Sequence, residues 1–165
     1  YISVSVAAVR VNQATWALEF IEKYKHDLIG ENETHDLYRL NKALCLFGMG
    51  KHAECLDNLP DTASNVGYLM QGKRLELQAL YELRSDLLPY RLDAFRMFLS
   101  RTSSKLLSDS QRQLNIDFVN FLTQISTSVS GDLKRSERLV QRLQEKKHAF
   151  EWRWLLEKAK ALKLP

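Results

Sequence analysis

Residues 37–60 read LYRLNKALCLFGMGKHAECLDNLP, and this stretch decides the class of the fold. Leu37, Leu40, Leu44 and Phe47 recur at steps of three and four, which places them on one face of a helix. Gly48 and Gly50 break that run, and Lys51 to Leu59 starts a second helix with Ala53, Cys55, Leu56 and Leu59 as its apolar positions. Pro60 stops it, because proline lacks the amide that a continuing helix needs. Two amphipathic helices joined by a glycine turn make a hairpin.

The same pattern extends outward in both directions. Upstream, Asn12 to Leu28 sets Ala17, Ile21, Tyr24 and Leu28 on one face and Glu19, Glu22, Lys23 and Lys25 largely opposite, with Gly30 as the stop. Downstream, Val66 to Leu83 is helical, with Leu69, Gly72, Ala79, Leu80 and Leu83 lining one side. Leu87 to Leu99 follows, with Asp86 as its cap and Pro89 in the first turn, where the missing amide is no loss. Ser108 or Asp109 caps a long segment reaching Val129, in which Leu114, Phe118, Phe121, Leu122 and Ile125 keep the helical step. Gly131 and Asp132 restart the chain into Leu133 to Lys146, and a last helix carries Trp152, Leu155, Leu156, Ala159 and Leu162. Eight or nine helices and no strand result, and with only three prolines and six glycines among 165 residues the class is all-α.

A period runs through these helices. Trp16-Ala17-Leu18, Glu54-Cys55-Leu56 and Asp93-Ala94-Phe95 occupy equivalent positions at separations of 38 and 39 residues, and Ala43-Leu44 and Ala79-Leu80 lie 36 apart. Small residues at Ala17, Cys55 and Ala94 suit close helix approach, while Ile21, Leu59 and Phe98, each four residues on, fill the adjacent gap. The expectation is an α-solenoid of antiparallel helix hairpins, one domain over 1–165, with hairpins at 1–62 and 63–105 and capping helices over 106–165.

Ala43, Leu46, Met49-Gly50-Lys51-His52, Cys55-Leu56 and Leu59-Pro60 resemble the tetratricopeptide (TPR-like) repeat, with its small residue, central glycine and closing proline. Lys42 stands where that family has a large apolar residue, so the resemblance implies degenerate repeats. Ala94-Phe95-Arg96-Met97-Phe98-Leu99, Asn120-Phe121-Leu122 and Trp152-Arg153-Trp154-Leu155-Leu156-Glu157-Lys158 resemble the closing segment of uncharacterised bacterial helical-repeat proteins. That second resemblance implies no activity.

Charge is unevenly placed. Residues 1–130 carry 14 Lys/Arg against 15 Asp/Glu, whereas 131–165 carry 10 against 5. Lys134, Arg138 and Arg142 step by four along one helix, with Arg135, Lys146 and Lys147 nearby, and like charges at that spacing repel unless an acidic partner relieves them. Glu137 and Glu145 dilute the stripe. No segment has the uninterrupted apolar length of a membrane span. The two cysteines, Cys45 and Cys55, are expected as free buried thiols, which point to a reducing, cytoplasmic compartment. An apolar opening at Tyr1, without Met, suggests that a longer chain precedes it.

Candidates for chemistry fall away one by one. Gly48-Met49-Gly50-Lys51 lacks the spacing, the following Ser or Thr and the preceding strand of a phosphate loop. Cys45, His52, Cys55 and His35 have poor metal spacing, and His26 and His148 sit at helix ends. Glu19/Glu22 and Glu31/Glu33/Asp36 lie on polar faces or in a loop, without the cleft that would separate their pKa values. No catalytic residue, cofactor or metal is therefore expected. The leading expectation is a scaffold that binds a protein or peptide on the first helices of its pairs, where aligning Ala43 with Ala79 yields a stripe of Tyr38, Lys42, Arg74, Gln78 and Tyr81. Its rivals are nucleic-acid association through Lys134, Arg138 and Arg142, and a purely structural end cap that uses Trp152 and Trp154.

Overall fold

The computed structural model describes residues 2–25, 33–60 and 65–164. Among these residues there are nine helices and no strand. The helix end at Gly30, the imidazole of His26, Glu31, the side chain of Glu33 and the loop after Pro60 lie outside the described residues. The chain divides into two compact units, Tyr1–Leu88 and Pro89–Pro165, and the division falls at the start of a helix.

The first unit holds α1 (Ile2–Arg10), α2 (Ala14–Lys23), α3 (Glu33–Gly48), α4 (His52–Asn58) and α5 (Val66–Glu82). Each helix packs on the next, and α3 also packs on both α1 and α5. Leu40, Ala43, Leu46, Cys55, Leu75 and Ala79 form one buried cluster, and Ala8, Ala17, Ile21 and Cys45 form another. Helix α1 was not expected from the apolar opening. It lies so close to α3 that a Cβ on Gly48 would meet Val9 Cγ1 at 2.8 Å, so the last residue of α3 has to be glycine for that approach. Asn65 caps α5, its Oδ1 accepting from the Gly67 amide at 2.8 Å.

The ends of α3 and α5 close in the same way with different residues. After α3, Lys51 N–H donates to Leu46 O and Gly50 N–H to Phe47 O, with Gly50 at φ 76°. After α5, Ser85 N–H donates to Leu80 O and Arg84 N–H to Tyr81 O, with Arg84 held at φ 51°.

The second unit holds α6 (Leu88–Arg101, beginning on the boundary residue), α7 (Asp109–Ser126), α8 (Leu133–Glu145) and α9 (Trp152–Ala161). Pro89 takes the first turn of α6 as expected. Ser85, rather than Asp86, meets the amides there: its Oγ accepts from Leu87 N–H at 3.3 Å and its carbonyl from Leu88 N–H at 3.1 Å. Ser108 caps α7 by accepting from Gln111 N–H, and Asp109 is the first helical residue. Helix α7 buries Phe118, Val119, Phe121, Leu122 and Ile125. Helix α9 packs on both α7 and α8 through Leu155 and Ala159.

The small residues aligned in sequence differ in burial. Ala17, Cys55, Ala43 and Ala79 are all fully buried, but Ala94, the third small residue of the 38-residue series, is exposed. A small side chain permits close approach without requiring it, and around Ala94 the face of α6 also exposes Tyr90 and Met97.

Candidate basic interface

Helix α8 is amphipathic. Leu139 and Leu143 are buried, and between them and α9 the buried Ser136 donates from Oγ to Ala159 O at 2.7 Å. Asp132 caps the helix, its Oδ1 accepting from Arg135 N–H at 3.0 Å. Trp152 Nε1–H donates to Leu143 O at 2.6 Å, a last-turn carbonyl of α8 that also accepts from Lys146 N–H. Gly131 N–H donates to Leu162 O at 2.8 Å, which ties the start of α8 to the end of α9. These bonds fix which way the polar side of α8 faces.

That side carries Lys134, Arg138, Arg142 and Arg135, which at 100° per residue fall within an arc of roughly 100°. Together with Gln124 of α7 and the capping Asp132 they line an open depression of about 380 Å³ with Leu139 at its floor. The three basic residues expected as a patch are therefore brought together, and Arg135 joins them. Arg142 donates from Nη1 to Gln124 Oε1 at 2.6 Å and lies over the buried Phe121 ring, 5.4 Å from its centroid. Arg135 donates from Nη2 to Gln124 O at 3.3 Å and to Thr127 Oγ1 at 3.4 Å. Lys134 and Arg138 have no ion-pair or hydrogen-bond partner among the described residues. The positions three and four away from Arg138 on either side are Lys134, Arg135, Gln141 and Arg142, so three cations and no acid flank it. Lys146 Nζ meets both Asp117 carboxylate oxygens at 2.8 and 2.9 Å, and Lys163 Nζ lies 3.7 Å from Glu137.

The stripe expected on α3 and α5 does not form one open face. Arg74 and Gln78 are 7% and 5% exposed, because α5 is buried on most sides from Met70 to Leu80. Tyr81 is partly buried. Tyr38 donates from its hydroxyl to Glu22 Oε1 at 2.6 Å, and Lys42 Nζ lies 3.5 Å from the same oxygen. The Tyr38 bond, followed by the charge of Lys42, lowers the Glu22 pKa; burial, followed by Glu22, pushes the Tyr38 hydroxyl up to about 12. Lys25 and Lys42 also lie over the Tyr38 ring. Tyr38 and Lys42 thus belong to a clasp between α2 and α3.

Cys45 and Cys55 are free and buried, and burial pushes their thiols up to about 11 and about 12. His52 packs against Phe47, and His35 and His148 are exposed. Among the described residues no group of three or more His, Cys, Asp or Glu is placed to hold a metal ion, and no helix is long and apolar enough to cross a membrane. Trp154 is partly buried beneath Lys158, whose Nζ lies 5.7 Å from the ring centroid. Periodicity alone identified Lys134, Arg138 and Arg142; Gln124, which holds two of the cations, lies 18 residues from Arg142 and carried no signal in the sequence. No protein-family model, curated protein or solved structure matches this chain.

Proposed function

We propose that this chain is a non-catalytic binding module that docks an acidic protein partner on the α8 depression. One observation carries the reading: Lys134 and Arg138 stand uncompensated in a depression whose other cations are already oriented by Gln124. Leaving like charges together costs a few tenths of a kcal/mol per pair, and an acidic ligand removes that cost. The lining sets four cations against one carboxylate, Asp132, whose Oδ1 accepts the capping bond, so its net charge and its N–H donors favour holding an anion. For the first unit we propose a degenerate tetratricopeptide-like stack. Its support is the packing of α3 on α1 and α5 as well as on its sequence neighbours, with Ala43 and Ala79 buried 36 residues apart.

The test is fluorescence anisotropy with a labelled oligoglutamate peptide, comparing the native chain with a Lys134→Ala/Arg138→Ala variant. Binding that disappears in the variant, with an unchanged melting curve, supports the docking site. Equal binding by both chains would remove α8 from consideration. A single-stranded oligonucleotide at about 50 mM salt, where counterion release makes phosphate contacts strongest, tests the nucleic-acid alternative.

A further inference from the structure

We infer that the group received by the α8 depression is a phosphate monoester on a peptide side chain. This rests on the docking reading above and specifies its ligand. Four cations face the depression, and the carboxylate among them, Asp132, has its Oδ1 engaged by Arg135 N–H. A glutamate side chain supplies one negative charge and two oxygens in a plane, a geometry that one guanidinium fork can meet with two parallel hydrogen bonds. A phosphoserine supplies about 1.5 to 2 negative charges and three acceptor oxygens in a tetrahedral array, which needs several donors converging from different directions.

The arrangement on α8 provides that convergence. Arg142 spends Nη1 on Gln124 Oε1 and Arg135 spends Nη2 on Gln124 O, so both heads are drawn to one residue with other N–H groups of each fork still to be used. Arg138 projects between them in sequence, three residues after Arg135 and four before Arg142. Part of the ordering cost is therefore met before a ligand arrives: Arg142 is held by both its hydrogen bond and the Phe121 face beneath it.

The surroundings favour a compact ligand over a polynucleotide. A nucleic-acid backbone needs a positive track that continues past the first phosphate. Here Lys146, one turn beyond Arg142, is matched with Asp117, and Phe121, the ring under Arg142, is 3% exposed and closed to base stacking.

The experiment uses the full chain and three degenerate peptide libraries identical except for a fixed central phosphoserine, glutamate or serine, read by anisotropy at physiological salt, beside a single-stranded oligonucleotide. The expected result is phosphoserine binding about tenfold or more tighter than glutamate binding, from the added charge and acceptors. Arg138→Lys, which keeps the charge and removes the fork, should erase most of that ratio, and circular dichroism melting should be unchanged because Arg138 has no hydrogen-bond or ion-pair partner among the described residues. Equal affinity for the phosphoserine and glutamate libraries overturns the phosphate inference while leaving acidic docking intact. Failure of both libraries overturns the docking reading itself, and tighter binding of the oligonucleotide than of the phosphoserine library overturns the inference in favour of nucleic acid.

Discussion

Arg142 and Gln124 are joined by a 2.6 Å hydrogen bond between α8 and α7, and the backbone carbonyl of the same glutamine accepts from Arg135. One neutral residue thus aims two charged ones. Gln124→Ala leaves the net charge unchanged and removes the side-chain tether, so affinity for an anionic peptide should fall by roughly three- to tenfold, while stability changes by less than about 1 kcal/mol. Anisotropy titration beside a thermal melt checks both numbers.

Ser136 sits at the seam between α8 and α9, with its hydroxyl buried and bonded to Ala159 O. Ser136→Ala should cost about 1 kcal/mol by urea denaturation, the ordinary worth of a buried neutral hydrogen bond. A loss below the error of the measurement would show that the carbonyl finds another donor.

The C-terminal turns of α3 and α5 share one backbone geometry, but glycine occupies the left-handed position in one and arginine in the other. Gly50→Ala should destabilise by about 1 kcal/mol, whereas Arg84→Gly should stabilise by about 0.5 kcal/mol, the relief of strain exceeding the greater freedom of glycine in the unfolded chain. Opposite signs in paired denaturation curves are the expected outcome.

The clasp between α2 and α3 should leave a mark on the pH dependence of stability. The Glu22 pKa is depressed from 4.5 by Tyr38 and Lys42, so its contribution is complete above that value and is lost as the pH falls through the folded-state pKa. Tyr38, Cys45 and Cys55 are raised from 10, 9 and 9, so their contributions are complete below those values and vanish as the pH climbs towards 11 to 12. The stability gap between the native chain and Glu22→Gln should therefore narrow as the pH is lowered from 6 to 3, on the order of the range through which a carboxylate titrates. A gap independent of pH would remove Glu22 as a contributor.

Ala17 and Ala94 look interchangeable in the 38-residue register, but one is buried and the other exposed. Ala17→Leu should cost about 1–3 kcal/mol by overpacking, and Ala94→Leu should stay within about 0.5 kcal/mol. Equal effects would mean that Ala94 is covered in solution.

Much of this was legible from periodicity, and the exceptions share a physical cause. Leu114, Phe118, Leu122 and Ile125 mark α7, and Leu40, Leu44 and Phe47 mark α3, because a one-sided apolar stripe is a local property of the chain. Helix α1 escaped notice because Ile2, Val4, Val6 and Val9 are β-branched and weak helix formers, and Gly48, which admits it against α3, is distant in sequence. Arg74 and Gln78 read as surface because polar side chains on a helix ordinarily face water, whereas the cover over a central helix is decided by the rest of the chain. The positive stripe on α8 was visible residue by residue; the partnership of Gln124 with Arg135 and Arg142 depends on how two helices meet.

The three attachments of α8 to α9, at Gly131, Ser136 and Trp152, bear on how the basic face moves. A helix tied just before its start, in its first turn and near its end is hindered from rolling or fraying by itself, so most of its amides should open to hydrogen exchange together with the loss of α9. Loss of the basic face and loss of the second unit's packing are then a single cooperative event. The face of α8 that carries the cations keeps its bearing for as long as that unit stays folded.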